Sequence, residues 1–215
     1  MNRKLTVFAV AATAAAAFMP FGIEARTAAD FFKQAPQSVI PVLAVNTRLD
    51  MLDYYNSGMF TPVANRVNGK STLSKVDDMH LKVELSENSS LQLAVIPMKK
   101  DTVIAVIETV KCPVADSGIR FYRAKDWSEI DVPAHSPSVT EFIAPDKRKQ
   151  AVAGDMPRFV FSKAEFIPEK NLFLFHNTTG DFYHDTDKPA GLELMQDLVA
   201  MRFDGRKLVE VKNYK

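Results

Sequence analysis

The spacing of apolar residues changes along the chain from a helical period to a strand period. Residues 46–58 place Leu49, Leu52 and Tyr55 three residues apart, between a capping asparagine and a terminating glycine. This pattern predicts an amphipathic helix. A capping-box sequence, TAAD, opens residues 27–35 and predicts a shorter helix there.

From residue 79 onward the apolar positions follow a period of two. Residues 79–86 alternate between apolar and polar side chains, which predicts a strand with one buried face and one wet face carrying His80. Further strands are predicted at residues 91–95, 102–110, 118–122, 158–167 and 171–177. Residues 201–211 predict a hairpin with Asp204 and Gly205 at its tip in a type I′ turn.

Polar stretches separate these elements. Residues 61–75 are predicted as a loop with at most one short strand, residues 146–150 as a solvated loop, and residues 136–145 as a short capped helix. Two N-terminal helices followed by hairpin-connected strands predict an α+β fold with a largely antiparallel β-meander. Residues 79–132 and 158–211 could form two sheet layers or two related subdomains. No residue-level repeat relates them, so a single domain over residues 26–215 is predicted.

The N-terminal segment has the organisation of a secretory signal peptide. Arg3 and Lys4 precede the uncharged, alanine-rich residues 5–23, and a proline and a glycine interrupt the end of this run. We predict that residues 1–25 are removed by cleavage after Ala25, leaving an exported protein, periplasmic or extracellular, with no stable membrane span. The alternative is an uncleaved anchor, because the run approaches the roughly 20 residues that span a bilayer.

The charge balance limits the classes of partner, and the cysteine count excludes an internal disulfide. Removing Arg3, Lys4 and Glu24 from 27 basic and 26 acidic residues leaves a formally neutral chain. A protein without net charge has no overall electrostatic field that would attract nucleic acid. The single cysteine, Cys112, cannot form an internal disulfide, and we predict a half-buried structural residue.

Several motifs together carry a family resemblance. They are NTRLDMLDYYNSG, LSENSSLQL, PVADSGIRFY, Trp127 and, beyond it, EFI. In this order they resemble the bacterial exported family known as domain of unknown function 3256. The resemblance covers nearly the whole chain after the signal peptide and implies secretion. It implies no activity, cofactor or catalytic residue.

The densest group of metal-ligand residue types lies in the sequence HNTTGDFYHDTD. It contains His176, Asp181, His184, Asp185 and Asp187. Imidazole and carboxylate groups together can hold zinc or a similar ion, so these five residues are the candidate metal ligands. The alternative is a hydrophilic turn, because their spacing matches no known ligand set.

Other residues offer weaker chemistry. Asp50 and Asp53 share a helix face, where paired carboxylates can divide acid and base roles but are usually only solvated. His80 and His135 are predicted at the surface. The sequence NGKST at residues 68–72 lacks the first glycine of a phosphate-binding loop and is predicted as a polar loop.

Aromatic residues crowd the C-terminal half of the chain. They are Phe159, Phe161, Phe166, Phe173, Phe175, Phe182 and Tyr183. We expect them to fill the core between sheet layers; lining an exposed groove for sugars or peptides is the alternative.

Two functions follow from these patterns. We favour a non-catalytic binding module of the cell envelope, without a cofactor, whose partner is an envelope protein or a small ligand. The sequence has no nucleophile elbow and no zinc-protease or dinucleotide-binding motif. The alternative is a metal-assisted hydrolase built on His176 to Asp187, with Asp50 or Asp53 contributing from the helix.

Overall fold

Helices precede a meander of antiparallel strands, as the periodicity predicts. The computed structural model describes residues 26–153, 155–212 and 214. Its helices are α1 (Ala28–Gln34), α2 (Val45–Asn56), α3 (Val139–Phe142) and α4 (Arg148–Ala153). Short 3₁₀ turns occupy Pro168–Lys170, Thr179–Phe182 and Ala190–Leu194. The α+β class is therefore confirmed.

The strands form two antiparallel sheets, each ordered along the chain. The seven-stranded sheet contains β1 (Val63–Ala64), β2 (Lys70–Val76), β3 (His80–Ser86), β4 (Ser89–Pro97), β5 (Thr102–Lys111), β6 (Ala115–Arg123) and β7 (Glu129–Ile130). The four-stranded sheet contains β8 (Ser162–Ile167), β9 (Leu172–Asn177), β10 (Leu198–Phe203) and β11 (Leu208–Glu210). Of the two arrangements left open by the sequence, the strands form separate sheet layers.

The central strands of the seven-stranded sheet are buried on both faces. One face carries Leu81, Val83 and Leu93, which pack in one core with Phe31 and Phe32 of α1. The opposite face packs against the four-stranded sheet through Phe121, which stacks on Phe203 at 4.0 Å between ring centroids and meets Phe173 edge-on at 5.8 Å. Buried area of this kind is the main favourable term in folding. The sheet therefore forms the middle of three layers.

The predicted capping box of α1 is confirmed, whereas the start and the buried face of α2 differ from the prediction. The Asp30 N–H donates to Thr27 Oγ1 at 3.3 Å, and the Thr27 N–H donates back to Asp30 Oδ2 at 3.0 Å.

Helix α2 begins at Val45 after Ala44, without a side-chain cap. Its buried residues are Arg48, Met51 and Leu52, while Leu49 is exposed. The buried face of α2 therefore differs from the predicted one, because the charged residue Arg48 lies at the interface with α1.

Two stretches predicted to be mainly loop contain more regular structure than was predicted. Strand β2 pairs with β3, but only Ser71 and Leu73 along it are buried. Its period of two is therefore hidden, because the polar Ser71 occupies one of the two buried positions. Helix α4 begins at Arg148, inside the segment predicted as a solvated loop.

The predicted C-terminal hairpin is present with a longer turn. Phe203 and Leu208 form its last strand pair, so four residues make the loop rather than the two of a type I′ turn. Asp204 Oδ1 accepts the N–H groups of Arg206 and Lys207 at 2.8 and 2.9 Å. Gly205 adopts φ +103°, which side chains other than glycine rarely tolerate.

The predicted signal peptide lies outside the described residues. Within residues 26–153, 155–212 and 214, none of the helices has the length and apolar character needed to cross a membrane.

Candidate ligand-binding cleft

The free edge of β8 lies against side chains of the seven-stranded sheet. Gln92 Nε2 donates to the Ala164 carbonyl at 3.0 Å, and the Ala164 N–H donates to Ser117 Oγ at 2.9 Å. The Ser162 N–H donates to Asp116 Oδ1 at 3.1 Å. Edge strands otherwise present unpaired backbone groups. We call this line of contacts the seam.

His80 lies in the seam, which corrects the prediction that it faces solvent. Its side chain is 3% exposed, and its Nε2 lies 3.1 Å from Gln92 Oε1. The alternation along β3 correctly gives His80 a different face from Leu81, but that face is covered by β8. Because β8 lies far along the chain, no local pattern reveals the cover.

The partners of Gln92 fix the protonation of His80. The Gln92 amide nitrogen faces the Ala164 carbonyl, and its Oε1 also accepts the Phe166 N–H at 3.4 Å. Since Oε1 is an acceptor only, His80 Nε2 carries the proton. Its Nδ1 is then a lone-pair acceptor, and it has no hydrogen-bond partner among the described residues. Burial lowers the pKa of His80, so the ring is neutral.

Two adjoining cavities open along the seam, and we call them together the lysine cleft. The smaller has a volume of about 110 Å³ and is lined by Lys75, His80, Lys82, Gln92, Lys163 and Glu165. The larger has a volume of about 230 Å³, and its lining includes Lys82, Glu84, Glu87, Thr109, Lys111 and Lys163. Lys82 and Lys163 line both cavities and mark where they meet.

The lysines of the cleft differ in their pairing. Lys82 Nζ lies 2.7 Å from Glu84 Oε1, and Lys75 Nζ lies 3.4 Å from Asp77 Oδ2. Lys111 and Lys163 make no ion pair with any residue that the structure describes. These two ammonium groups are therefore the cations available to a ligand.

Two further cavities lack a buried polar lining. One, of about 200 Å³, lies between β10, β11 and Tyr214. The other, of about 660 Å³, lies beside Arg123, Asp131 and Arg206. None of the polar side chains that line either cavity is buried. The lysine cleft differs because His80 and Gln92 are both buried in its wall.

The five candidate metal ligands are all exposed. They are His176, Asp181, His184, Asp185 and Asp187. Lys188 Nζ donates to Asp185 Oδ1 at 2.7 Å and lowers the pKa of that carboxyl group. Within the described part of the chain, no three His, Cys, Asp or Glu side chains are grouped to hold a metal ion. Metal binding by this segment stays a prediction, and it requires these side chains to move together.

The weaker candidates also lie outside the lysine cleft. Asp50 and Asp53 are exposed on α2. His135 is exposed as predicted, and its Nδ1 lies 2.8 Å from the Ile119 carbonyl oxygen. Cys112 is exposed, which corrects the prediction of a half-buried residue, because it follows the last residue of β5 in a solvated connection. NGKST spans the β1–β2 turn and the start of β2.

The aromatic residues divide between core and surface. Phe166, Phe173 and Phe175 are buried between the sheets, as expected. Phe182 is 41% exposed and lies 5.1 Å from the Phe161 ring, centroid to centroid. The core expectation is therefore correct for the strand residues and wrong for those in the flanking segments.

Sequence reasoning missed His80, Gln92 and Lys163 as members of one site. Gln92 alone gave a local signal, since it is the single polar residue in the apolar run LQLAVI. A buried polar group usually has a partner, and here its partners are His80 and the backbone of β8.

Comparisons with known proteins place the chain in a family. No curated protein matches it. Among solved structures, it is similar to a domain of an uncharacterized protein from Porphyromonas gingivalis W83, with 19% sequence identity and a TM-score of 0.68. The match covers 86% of this chain and 98% of that one and shows a shared fold. The model of the family described as Protein of unknown function (DUF3256) matches residues 21–205, as the motif order predicted. The chain therefore belongs to the DUF3256 family.

Proposed function

We propose that this protein is an exported, non-catalytic binding module of the cell envelope, and that it holds a small anionic ligand in the lysine cleft. The observation that carries the proposal is the placement of Lys111 and Lys163 on a cleft whose wall contains a buried, neutral imidazole. Free ammonium groups beside a cavity attract anions. The signal-peptide pattern of residues 1–25 supports export.

The environment of His80 favours binding over acid–base catalysis. A catalytic histidine is commonly oriented by a carboxylate, which stabilises the imidazolium form. His80 Nε2 instead donates to the neutral amide of Gln92, and burial lowers its pKa. Its Nδ1 is therefore a weak base but a good hydrogen-bond acceptor.

Calorimetry on the exported protein tests the proposal. The full chain is expressed, purified from the exported fraction and titrated with phosphate, sulfate, acetate and galacturonate. We expect saturable binding of at least one anion, weakened about tenfold or more by Lys163→Gln because a charge-assisted hydrogen bond is lost.

A matched variant separates the cleft from general charge effects. Lys100→Gln removes one exposed lysine at the β4–β5 turn, and we expect it to bind like the unmodified protein. Binding that is absent for all four anions, or that both variants weaken equally, would overturn the proposal.

A further inference from the structure

We propose that the ligand of the lysine cleft is a hydroxylated carboxylate of the kind a sugar acid presents, and that one of its hydroxyl groups donates to His80 Nδ1. This inference rests on the proposed function and adds a ligand class to it. It follows from three features of the cleft, which concern the acceptor, the charges and the shape.

The buried acceptor His80 Nδ1 requires a hydrogen-bond donor, which the ligand supplies. Gln92 occupies His80 Nε2 and thereby leaves Nδ1 as a lone pair. That nitrogen is buried and has no partner within the described residues. An unpaired buried acceptor is costly, and a donor that reaches it recovers that cost. A sulfate dianion has only acceptor oxygens to offer and a hydrogen phosphate dianion has a single O–H, whereas a sugar acid offers several hydroxyl groups that can donate.

The charges of the cleft suit a ligand that carries both a carboxylate and hydroxyl groups. Lys111 and Lys163 are cations without an ion-pair partner in the described chain, and both line the larger cavity. Glu84 and Glu87 line the same cavity, and Glu165 lines the smaller one. These carboxylates would repel a multivalent anion, but they can accept hydrogen bonds from hydroxyl groups.

The volumes of the two cavities indicate where the hydroxyl-bearing arm and the carboxylate of the ligand lie. The smaller cavity, of about 110 Å³, is lined by His80 and has Lys163 at its junction with the larger cavity, of about 230 Å³. A water molecule occupies roughly 30 Å³ of liquid volume, so the smaller cavity admits a hydroxyl-bearing arm and little more. The carboxylate then lies beside Lys111 and Lys163, in the larger cavity.

Three ligands of similar size test the inference by calorimetry on the exported full chain. Galacturonate carries the carboxylate and the hydroxyls, cyclohexanecarboxylate carries only the charge, and galactose carries only the hydroxyls. We expect galacturonate to bind about tenfold or more tightly than either of the others, since each lacks one class of hydrogen bond. Polygalacturonate, compared with the monomer, distinguishes a polysaccharide source from a free sugar acid.

Nitrogen NMR of the unmodified protein tests the role of His80 without risking its fold. We expect galacturonate to shift the Nδ1 resonance of His80 as this atom accepts a hydrogen bond, and cyclohexanecarboxylate to leave it in place. An unchanged Nδ1 resonance at saturating galacturonate would overturn the inference.

The outcomes distinguish the inference from the proposed function. Equal binding of galacturonate and cyclohexanecarboxylate, both weakened by Lys163→Gln, would overturn the sugar-acid inference and leave an anion-binding module. Binding of none of the carboxylates and neither inorganic anion would overturn both.

Discussion

Arg48 is a buried cation that joins the two N-terminal helices. Its side chain is 0% exposed, and its guanidinium donates to the carbonyls of Phe32 and Ala35 at 2.8 and 2.7 Å. These carbonyls lie at the C-terminal end of α1, where the helix dipole favours positive charge. Burial lowers the pKa of Arg48. No described carboxylate forms an ion pair with it, so the two carbonyl groups and the Phe32 ring, whose centroid lies 6.0 Å from the guanidinium carbon, compensate the charge.

Replacing Arg48 should therefore destabilise the protein. We expect Arg48→Ala to lower the free energy of unfolding by about 3 kcal/mol, because it leaves a cavity and two carbonyl groups without donors. Arg66→Ala removes an exposed arginine that donates to Pro41, and we expect a loss within about 0.5 kcal/mol. Urea denaturation measures both. Equal losses would show that the buried contacts of Arg48 do not stabilise the fold.

His80 links stability to pH. Burial is the main cause that lowers the pKa of His80 below its ordinary value, and Lys75 also lowers it. Gln92, Asp77 and Glu165 act in the opposite direction. The charged side chains Lys82 and Lys163 line the same cavity as His80.

The sign of the pH effect follows from the lowered pKa. Below about pH 6.5 the unfolded chain protonates this histidine while the native state keeps it neutral, so acid favours unfolding. Between pH 7.5 and 5.5 we expect the unmodified protein to lose about 1 kcal/mol more than His80→Gln. Denaturation of both at the two pH values measures the difference. A parallel loss in the two proteins would assign the acid sensitivity to other groups.

At the scale of elements, Gly191 marks where the connection before β8 packs on the 3₁₀ turn Ala190–Leu194. The Gly191 N–H donates to the Asp155 carbonyl at 2.9 Å. A Cβ at this position would lie 2.7 Å from that carbonyl oxygen and would also overlap Met156 Sδ. The backbones of the two segments therefore lie too close together to leave room for a side chain at residue 191.

A substitution pair tests this close approach. We expect Gly191→Ala to lower the free energy of unfolding by about 2 kcal/mol through overpacking. Gly180→Ala lies in another 3₁₀ turn with no atom within 4 Å of the added Cβ, and it should change stability little. Thermal melts of the two variants provide the measurement. An unaltered midpoint for Gly191→Ala would contradict the described packing.

The elements could be predicted from the sequence to the extent that their signals are local. The alternation over residues 79–86 indicated β3, and the capping box indicated α1, because both patterns depend on neighbouring residues. The face of α2 could not be predicted, since Arg48 is buried through carbonyls of another helix. The cleft was missed for the same reason: His80 and Lys163 meet only after the two sheets pack.

For the whole molecule, the seam explains why the cleft lies between the sheets. The inner faces of the sheets meet through large aromatic side chains such as Phe121 and Phe173. Where β8 crosses toward β3, the contacts change to Gln92, His80 and lysines. Polar groups at a layer boundary need partners, so the same residues that join the layers also provide groups for a ligand.

Export is the property of the whole chain that the proposed function depends on. In a bacterial host, we expect the exported fraction to contain a protein whose mass corresponds to a start at Arg26. Val10→Arg should block export, because a charge in the apolar run of a signal peptide prevents its recognition. Val67→Arg introduces the same change at an exposed position of the fold and should leave export intact. The intact mass of the protein in each fraction distinguishes the outcomes. A 24.0 kDa chain retained uncleaved in the membrane would support an anchor instead. The lysine cleft would then belong to a membrane-tethered protein.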